Sequence, residues 1–413
     1  MSKPVVRHVG TRQEFYWERE HIYALVNRLH EHSDGRITAE VAFKTDRSDI
    51  PTHILHTQLN LLSTRAKKDC VRELEDRYPL PEGQWTSMVE QLCLTALDNY
   101  RRGKPAKEVW PAAEDEEIPC AELLIRPLLY KDKPTIVFGE GSTGKSYLAL
   151  TLGITAQLPY LDNPLSLLPQ QANVLYLDYE SDETEFRRRL TLLQRGFAIP
   201  PVPVLYRECE LPLVDDIDHL EQIVAESRIG FVIVDSLGVA SGNASLNDAA
   251  TATAFYAALR KLKVTSLLIT HTSKESERKP TPFGSVYFTN LARSVFEVKR
   301  QQEHGANEIG IALIHTKNNQ GPLLAHQGFR IIFDSGRTVV KRIDIETVPE
   351  FLEKLSLKAR IAHLLREEGK LATKDMAELL QENQDIIRAT LRKHKKLFVK
   401  TGKEWGLLSD RNH

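Results

Sequence analysis

The spacing of hydrophobic residues changes along the chain and predicts three regions joined by one linker. Residues 1–110 carry apolar residues mainly at helical spacing, which predicts a mainly helical domain. Residues 121–345 alternate short apolar runs with helical segments, and residues 346–413 return to short amphipathic helices. Residues 111–120 are rich in proline and acidic side chains, which is typical of a linker.

In the N-terminal region, the pattern predicts helices around one strand. The helices are expected at Phe15–His32, Ile54–Tyr78 and Gln84–Tyr100, and the strand at Ile37–Phe43. Two interpretations of this region stay open. It is either a scaffold packed on the central domain or an accessory domain for a partner or for assembly.

The central region has the alternation of an α/β fold. Its apolar runs predict strands at Thr135–Phe138, Asn173–Leu177, Val204–Tyr206, Gly230–Val234, Ser266–Thr270, Val295–Val298, Ile309–His315 and Arg330–Phe333. Helical segments such as Thr184–Leu193 and Ala249–Leu262 separate several of them. We therefore expect a mostly parallel, twisted sheet with helices on both faces. Ligands bind such sheets at the carboxyl ends of the strands, so the polar residues there are the candidates for chemistry.

The C-terminal region predicts a winged helix-turn-helix. Three helices and two strands are expected, at Ser356–Glu368, Thr373–Leu380, Asp385–Lys395, Leu397–Val399 and Trp405–Leu407. The third helix carries the cations expected to bind DNA, which are Arg388, Arg392, Lys393 and Lys396. Winged helices also bind proteins, so a protein partner is the alternative.

Composition and charge limit the class of protein. The chain is 41% hydrophobic and 27% charged, which is typical of a globular protein. The net charge is −1, but from Phe351 onward 14 basic residues face 9 acidic ones, which favours nucleic acid as a partner of that region. No apolar run reaches the length of a membrane span and the first thirty residues are charged throughout, so a cytoplasmic protein is expected. The four cysteines are far apart and are expected to be ordinary buried thiols.

The strongest chemical signal is the segment Gly139–Ser146, which fits G-x-x-x-x-G-K-[ST]. It follows the apolar residues 136–138 and precedes good helix formers, as a P-loop requires. Its backbone N–H groups can surround phosphate oxygens at a helix N-terminus. Lys145 is expected to reach the β- and γ-phosphates of ATP, and the Ser146 hydroxyl to bind Mg²⁺. The predicted nucleotide-binding residues are Gly139, Glu140, Gly141, Ser142, Thr143, Gly144, Lys145, Ser146 and Tyr147.

Carboxylates follow two other predicted strands. Asp235 ends the apolar run 230–234, which is the form of a Walker B strand that holds Mg²⁺. Asp178 and Glu180 follow another strand and share one face, because side chains alternate along a strand. Glu180 is the candidate base that orients the attacking water. The alternative is that Asp178 or Glu180 only caps the helix that begins near Asp182.

A polar tip and a charged loop follow the strand at 266–270. His271 is the candidate sensor of the γ-phosphate. The segment after it contains Lys274, Arg278 and Lys279, which could contact a nucleic-acid backbone. The alternative is an ordinary solvated loop.

With these residues, positions 120–345 resemble the RecA-like ATPases of the RepA and DnaB helicase type, in particular the RepA-like AAA-domain proteins of plasmids and phages. The resemblance implies an ordered set of elements, namely P-loop, catalytic glutamate, Walker B aspartate, polar sensor and a late K-N-R-N-G-P motif. They fall on Gly139–Ser146, Glu180, Asp235, His271 and Lys317–Pro322.

The late motif departs from the family at one position. Asn319 stands where DnaB-like helicases have an arginine finger, and asparagine carries no charge for the transition state. The resemblance implies that Lys317 could replace the finger by reaching the nucleotide of a neighbouring subunit. A homo-oligomer, with a hexameric ring as the first expectation, would bring these groups together.

The resemblance implies an ATP-hydrolysing motor that acts on DNA, as a replicative helicase or loader of a mobile element. Single-stranded DNA is the expected partner of the ATPase loops, and duplex DNA that of the winged helix. Two alternatives stay open. One is an ATP-gated DNA-binding regulator with little turnover, and the other is a RecA-like recombination or defence ATPase.

Overall fold

The computed structural model describes most of the chain in two compact units. The described residues are 3–9, 12–32, 34–47, 51–103, 106, 108–113, 117, 120–159, 162–242, 248–272, 281–282, 286–345, 357–395 and 397–408. The first unit comprises Met1–Ala121, Leu211–Gly230 and Ala254–Val264. The second unit comprises Glu122–Glu210, Phe231–Thr253 and Thr265–His413.

The N-terminal part of the first unit is an antiparallel sheet with two helices on one face. Its strands are β1 (Val5–Val9), β2 (Arg12–Trp17), β3 (Ile22–Glu31), β4 (Ile37–Thr45) and β5 (His53–Asn60), paired in chain order. Its helices are α1 (Thr64–Arg77) and α2 (Gln84–Arg102). Phe15, Trp17 and Phe43 of the sheet are fully buried with Trp85 and Met88 of α2 in one core.

The prediction of a mainly helical domain over residues 1–110 is therefore wrong. The predicted helix Phe15–His32 contains the end of β2 and all of β3, and the predicted helix Ile54–Tyr78 is divided between β5 and α1. Buried and half-buried residues alternate along β2 and β4, which is the period of a strand with one covered face. The predicted strand Ile37–Phe43 and helix Gln84–Tyr100 are confirmed by β4 and α2.

The four cysteines differ in exposure, although all four are free thiols. Cys70 and Cys93 are buried in the first core, and burial raises the pKa of both thiols to about 12. Cys209 is half-buried and Cys120 is exposed, so the prediction of buried thiols holds for two positions only.

The central region contains two sheets and six helices among its described residues. The strands are β6 (Leu123–Arg126), β7 (Leu129–Tyr130), β8 (Pro134–Gly139), β9 (Leu168–Pro169), β10 (Asn173–Asp178), β11 (Leu205–Glu208), β12 (Ile229–Asp235), β13 (Thr265–His271), β14 (Ser294–Gln301), β15 (Glu308–Asn318), β16 (Gln327–Asp334) and β17 (Arg337–Ile343). The helices are α3 (Lys145–Gln157), α4 (Glu183–Phe197), α5 (Leu213–Glu226), α6 (Leu237–Ala240), α7 (Ala249–Leu262) and α8 (Val286–Leu291). Helix α5 and most of α7 belong to the first unit.

The large sheet is mixed, in the order β11-β10-β12-β13-β8-β14-β15-β16-β17. Strand β8 pairs in parallel with β13 and β14, whereas β14, β15, β16 and β17 pair antiparallel in sequence. The prediction of a mostly parallel sheet is therefore wrong for its last part. The connections between these last strands are too short for the crossover that parallel strands need, so the chain reverses at each turn.

Helix α3 is buried on nearly all sides, and its apolar residues join the core of the sheet. This helix begins directly after the P-loop, so burial fixes the direction in which its N-terminus points. Helix α4 packs on β17 at Gly196, where an added Cβ would lie 1.9 Å from the carbonyl oxygen of Thr338.

The C-terminal region is a small helical domain with a three-stranded sheet. Its elements are α9 (Leu357–Glu367), β18 (Leu371–Ala372), α10 (Thr373–Leu380), α11 (Gln384–Lys393), β19 (Phe398–Thr401) and β20 (Glu404–Leu407). Strand β20 lies between β18 and β19 and is antiparallel to both. Ile361, Met376, Ile387 and Leu391 form a common core. The helices and the hairpin lie where the sequence predicts them, whereas β18 was not predicted.

Among the described residues, no helix has both the length and the apolar composition that crossing a bilayer needs.

Gly196→Ala tests the contact between α4 and β17. We expect the free energy of unfolding to fall by about 1–3 kcal/mol, because the added methyl group collides with a backbone oxygen that cannot rotate away. Gly336→Ala is the control, since a Cβ there has nothing within 4 Å. Denaturant unfolding of the full chain measures both variants. Equal stability of the two would contradict the close packing.

Candidate nucleotide-binding site

The P-loop lies between β8 and α3 and has the backbone that phosphate binding requires. Strand β8 ends at Gly139, and α3 begins at Lys145. The backbone is left-handed at Ser142, with φ 59°, and at Gly144, with φ 81°. The loop therefore turns sharply onto the helix N-terminus, where free N–H groups and the helix dipole favour an anion.

Two glycines of the loop are required by close packing. A Cβ on Gly139 would lie 2.6 Å from the carbonyl oxygen of Val298. A Cβ on Gly144 would lie 2.9, 3.0 and 3.1 Å from the Cδ1 atoms of Ile311, Ile309 and Ile331. The loop thus lies directly on β14, β15 and β16.

Lys145 is folded into the loop. Its ammonium donates hydrogen bonds to the carbonyl oxygens of Gly139 at 3.0 Å and Glu140 at 2.6 Å, and to Thr143 Oγ1 at 3.3 Å. The residue is 5% exposed, and burial lowers the pKa of its ammonium against the opposing effect of Asp235 and Glu180. The ammonium thus lies at the centre of the P-loop, bound to oxygens of the loop itself, and its role in phosphate binding stays a prediction.

Ser146 and Asp235 face each other at the start of α3 and the end of β12. The buried carboxylate of Asp235 accepts a hydrogen bond from the Tyr176 hydroxyl at 2.6 Å, and the Ser146 hydroxyl lies close enough to affect the ionisation of this carboxylate. Burial raises the pKa of Asp235, and the two hydroxyls oppose that effect. A hydroxyl and a carboxylate beside a phosphate-binding loop are hard oxygen donors that fit Mg²⁺. These two residues would hold the ion.

Asp178 and Glu180 have different environments although one strand leads to both. Asp178 is 2% exposed and accepts hydrogen bonds from the backbone N–H groups of Glu180 and Ser181 at 3.0 and 2.9 Å, and from Ser181 Oγ at 2.7 Å. It therefore stabilises the turn after β10. The cap of α4 is Asp182, which accepts from the Glu185 N–H at 2.9 Å, so the helix-capping alternative is wrong for both.

Glu180 is the carboxylate that remains partly exposed. Its Oε1 accepts a hydrogen bond from Ser236 Oγ, and His271 Nε2 lies 3.8 Å from the same oxygen. The side chain of Glu180 is 41% exposed and that of His271 is 52% exposed. The structure thus brings the predicted base and the predicted sensor together at the carboxyl ends of β10 and β13, the two strands on either side of β12.

Lys317 lies level with the amino end of β8, whereas the P-loop of the same chain follows the carboxyl end of that strand. Lys317 pairs with Val295, and Val295 pairs with Ile136. Ile136 lies three positions before the end of β8, so it is about 10 Å along the strand from the start of the P-loop. Its ammonium donates to the carbonyl oxygens of Thr289, Asn290 and Ala292 at 2.7–2.8 Å. Within one chain, Lys317 therefore caps the C-terminal end of α8.

A cavity of about 770 Å³ opens beside the P-loop. It is lined by the loop, by Thr272, by the end of β14 and by the turn that follows β14. Arg300 of β14 lines it and donates to the carbonyl oxygen of Ser142 at 2.9 Å. Tyr147 points elsewhere, with its ring against Phe333 and under the guanidinium of Arg189.

Two polar residues at this site, Arg300 and Tyr176, were not predicted from the sequence. Arg300 has no local motif that would mark it, because only the strand order brings it to the loop. Tyr176 could have been found, since a tyrosine inside an otherwise apolar strand needs a partner for its hydroxyl. That partner is Asp235, at 2.6 Å.

The predicted DNA-binding residues fall into two groups. Four of them, Lys274, Arg278, Lys279 and Lys396, lie outside the described residues. Arg388 and Arg392 line a cleft of about 740 Å³ in the C-terminal domain. Lys393 is exposed on the same helix.

The fold and the site together define the central region as an α/β domain with a P-loop. In the large sheet, β13 lies between the P-loop strand β8 and the Asp235 strand β12, and the P-loop, Glu180, Asp235 and His271 lie at the carboxyl ends of these strands or of β10. Residues 100–277 match the family model described as "AAA domain".

The match ends before β14, so β14–β17 and the C-terminal domain lie beyond it. A search of curated proteins finds no match to the chain. Among solved structures, a KaiC-like protein from the hyperthermophilic archaeon Pyrococcus horikoshii OT3 aligns over 52% of this chain and 93% of its own. The identity is 13% and the TM-score is 0.38.

Lys145→Ala tests the P-loop assignment. We expect ATP binding to weaken by at least about 10-fold, because the phosphates lose the cation at the centre of the loop. Lys131→Ala is the control, since that lysine pairs with Glu122 at the surface. A fluorescent nucleotide titration measures both. Wild-type affinity in Lys145→Ala would contradict the site.

Glu180→Gln tests the candidate base. We expect ATP to bind normally and hydrolysis to slow by about 100-fold, because an amide cannot accept the proton of the attacking water. Asp182→Asn makes the same chemical change two positions away and keeps the helix cap. Steady-state phosphate release measures both variants, and full turnover in Glu180→Gln would move the base to another residue.

Proposed function

We propose that the protein is a Mg²⁺-dependent ATPase that acts on DNA, as a RepA-like replicative helicase or loader of a mobile element. One observation carries the proposal. Asp235 faces Ser146 beside the P-loop, while Glu180 stays accessible on the neighbouring strand. A metal-holding pair next to a separate accessible carboxylate is the arrangement that hydrolysis of a phosphoanhydride needs.

Each of these residues has a separate proposed role in hydrolysis. Lys145 binds the phosphates, and the P-loop N–H groups orient them. Mg²⁺ held by Ser146 and Asp235 supplies charge neutralisation for the phosphate oxygens. Glu180 accepts a proton from the attacking water, and Ser236 fixes the orientation of its carboxylate. His271, beside Glu180, senses whether the γ-phosphate is present.

DNA is the proposed partner because of the C-terminal domain, which we interpret as a winged helix-turn-helix. The cleft between α11 and the β19–β20 hairpin supports this interpretation. Within the described part of the chain, its charged lining is cationic and consists of Arg388, Arg392, Lys395, Lys400 and Lys403. Arg388 also contacts Asp385 at 3.1 Å. Such a cleft suits the phosphates of a duplex.

A second candidate is an ATP-gated DNA-binding regulator with little turnover. It is favoured by Lys317, whose ammonium is already bound to three carbonyl oxygens of its own chain. Asn319 offers no charge in its place. A helicase of this kind needs Lys317 to act in a neighbouring subunit of a ring, most simply a hexamer.

ATP hydrolysis with and without DNA distinguishes these functions. Phosphate release is measured at fixed salt with no DNA, with single-stranded DNA and with duplex DNA. Particle mass is measured with and without a non-hydrolysable ATP analogue. Stimulation by single-stranded DNA together with a nucleotide-dependent ring supports the motor. ATP binding with little turnover, in a stable monomer or dimer, supports the regulator.

Lys400→Ala/Lys403→Ala tests the cleft. We expect weaker duplex binding and a salt dependence whose slope falls by about two, because about two phosphate contacts are lost. Lys358→Ala/Lys374→Ala is the matched control, since it removes the same charge from exposed positions outside the cleft. Fluorescence anisotropy over a salt series measures both. Equal slopes in the two variants would contradict a DNA-binding cleft.

A further inference from the structure

We propose that Tyr176 is a positioning residue for the magnesium-binding carboxylate, because its buried hydroxyl holds Asp235 in the orientation that faces Ser146. The inference rests on the proposed function, since it takes Asp235 as a residue that holds Mg²⁺. It assigns a role to a residue that no motif marks.

The contact is short and shielded from water. Tyr176 is fully buried in β10, and its hydroxyl donates to Asp235 Oδ2 at 2.6 Å. A hydrogen bond to an ionised acceptor is about twice as strong as one between neutral groups. The side chain of Asp235 is also buried, so water does not compete for this oxygen. The carboxylate therefore cannot turn without losing its strongest partner.

The ring of Tyr176 is held in place from the side. It packs against Phe186 of α4 with ring centroids 4.9 Å apart, and Phe186 in turn stacks on Tyr206 at 4.4 Å. Close packing of this kind leaves a side chain one rotamer. The Tyr176 hydroxyl is therefore held in one position.

The backbone of Asp235 is tied to the same segment. The Tyr179 N–H donates to the carbonyl oxygen of Asp235 at 2.7 Å, directly beyond β10. Both the main chain and the side chain of Asp235 are therefore positioned by the segment that carries Glu180. In the other direction, Ser236 donates to Glu180. Asp235 is thus oriented by a hydroxyl from β10, and Glu180 by a hydroxyl of the residue that directly follows β12.

This reciprocal arrangement predicts a specific defect. Without the Tyr176 hydroxyl, Asp235 gains freedom to rotate, and the oxygen that faces Ser146 is presented less often. Metal affinity should suffer, because partners behind a metal ligand set its orientation. The P-loop contacts to the phosphates do not involve Tyr176, so nucleotide affinity without metal should be unchanged.

Tyr176→Phe in the full-length protein tests the inference, because it removes the hydroxyl and keeps the ring. Mn²⁺ serves as the probe, with its binding measured by electron paramagnetic resonance in the presence of ADP. We expect Mn²⁺ affinity to fall about 10-fold. ADP affinity in EDTA should stay at the wild-type value. Tyr206→Phe is the matched control, since its ring stacks on the same Phe186.

Two results would overturn the inference. One is wild-type Mn²⁺ affinity in Tyr176→Phe. The other is an equal loss of metal-free ADP binding, which would mean that the hydroxyl supports the whole site rather than the carboxylate. Rescue of ATP hydrolysis by about 10-fold more Mg²⁺ would support it further. A wild-type protein that binds Mn²⁺ and ADP but hydrolyses no ATP would refute the proposed function alone.

Discussion

The nucleotide site depends on one steric constraint, the close approach of the P-loop to the strands behind it. Gly144 lies against three isoleucines of β15 and β16, and Gly139 lies against the backbone of β14. A side chain at either glycine would push the loop off this surface. The loop therefore packs directly on β14, β15 and β16, immediately before α3 begins at Lys145. The loop geometry is a tertiary property that its motif alone does not create.

Burial then decides what each charged group of the site can do. Lys145, Asp178 and Asp235 are each at most 5% exposed, and each has hydrogen-bond partners that compensate the loss of water. Asp178 has its acceptor sites occupied by the turn after β10, so it acts on the backbone. Glu180 accepts a hydrogen bond from Ser236 and has His271 beside it, but its side chain is 41% exposed, which leaves the carboxylate accessible to water. Two carboxylates from one strand end thus differ in role because one is buried and the other is not.

Local signals predicted the parts of the fold that have local causes. The P-loop, β10, β12 and the C-terminal helices follow from a motif, from apolar runs and from amphipathic spacing. The N-terminal sheet was missed because β2 and β3 mix aromatic residues with charged ones, and their period of two was read as helical spacing. The Arg300 and Lys317 contacts could not be predicted, because they depend on which strands pair and on where the chain reverses.

The hydrogen bonds of Lys317 limit the role that this residue can have in ATP hydrolysis. Its ammonium has three carbonyl partners at the end of α8, a helix end whose dipole also favours a cation. A hydrogen bond to a charged group contributes about 1.5–3 kcal/mol, so these carbonyl contacts oppose release of the lysine. Burial lowers the pKa of this ammonium, and the positive charge of Arg293 lowers it further. The charged form of Lys317 therefore needs oxygen partners such as the three carbonyl groups. If Lys317 acts on a nucleotide in a neighbouring subunit, the phosphate must therefore replace all three carbonyl oxygens. The carbonyl oxygens at the end of α8 then lose their hydrogen-bond donor in the same step. Movement of the Lys317 ammonium to a neighbouring subunit's site would therefore also change the end of α8 in its own chain.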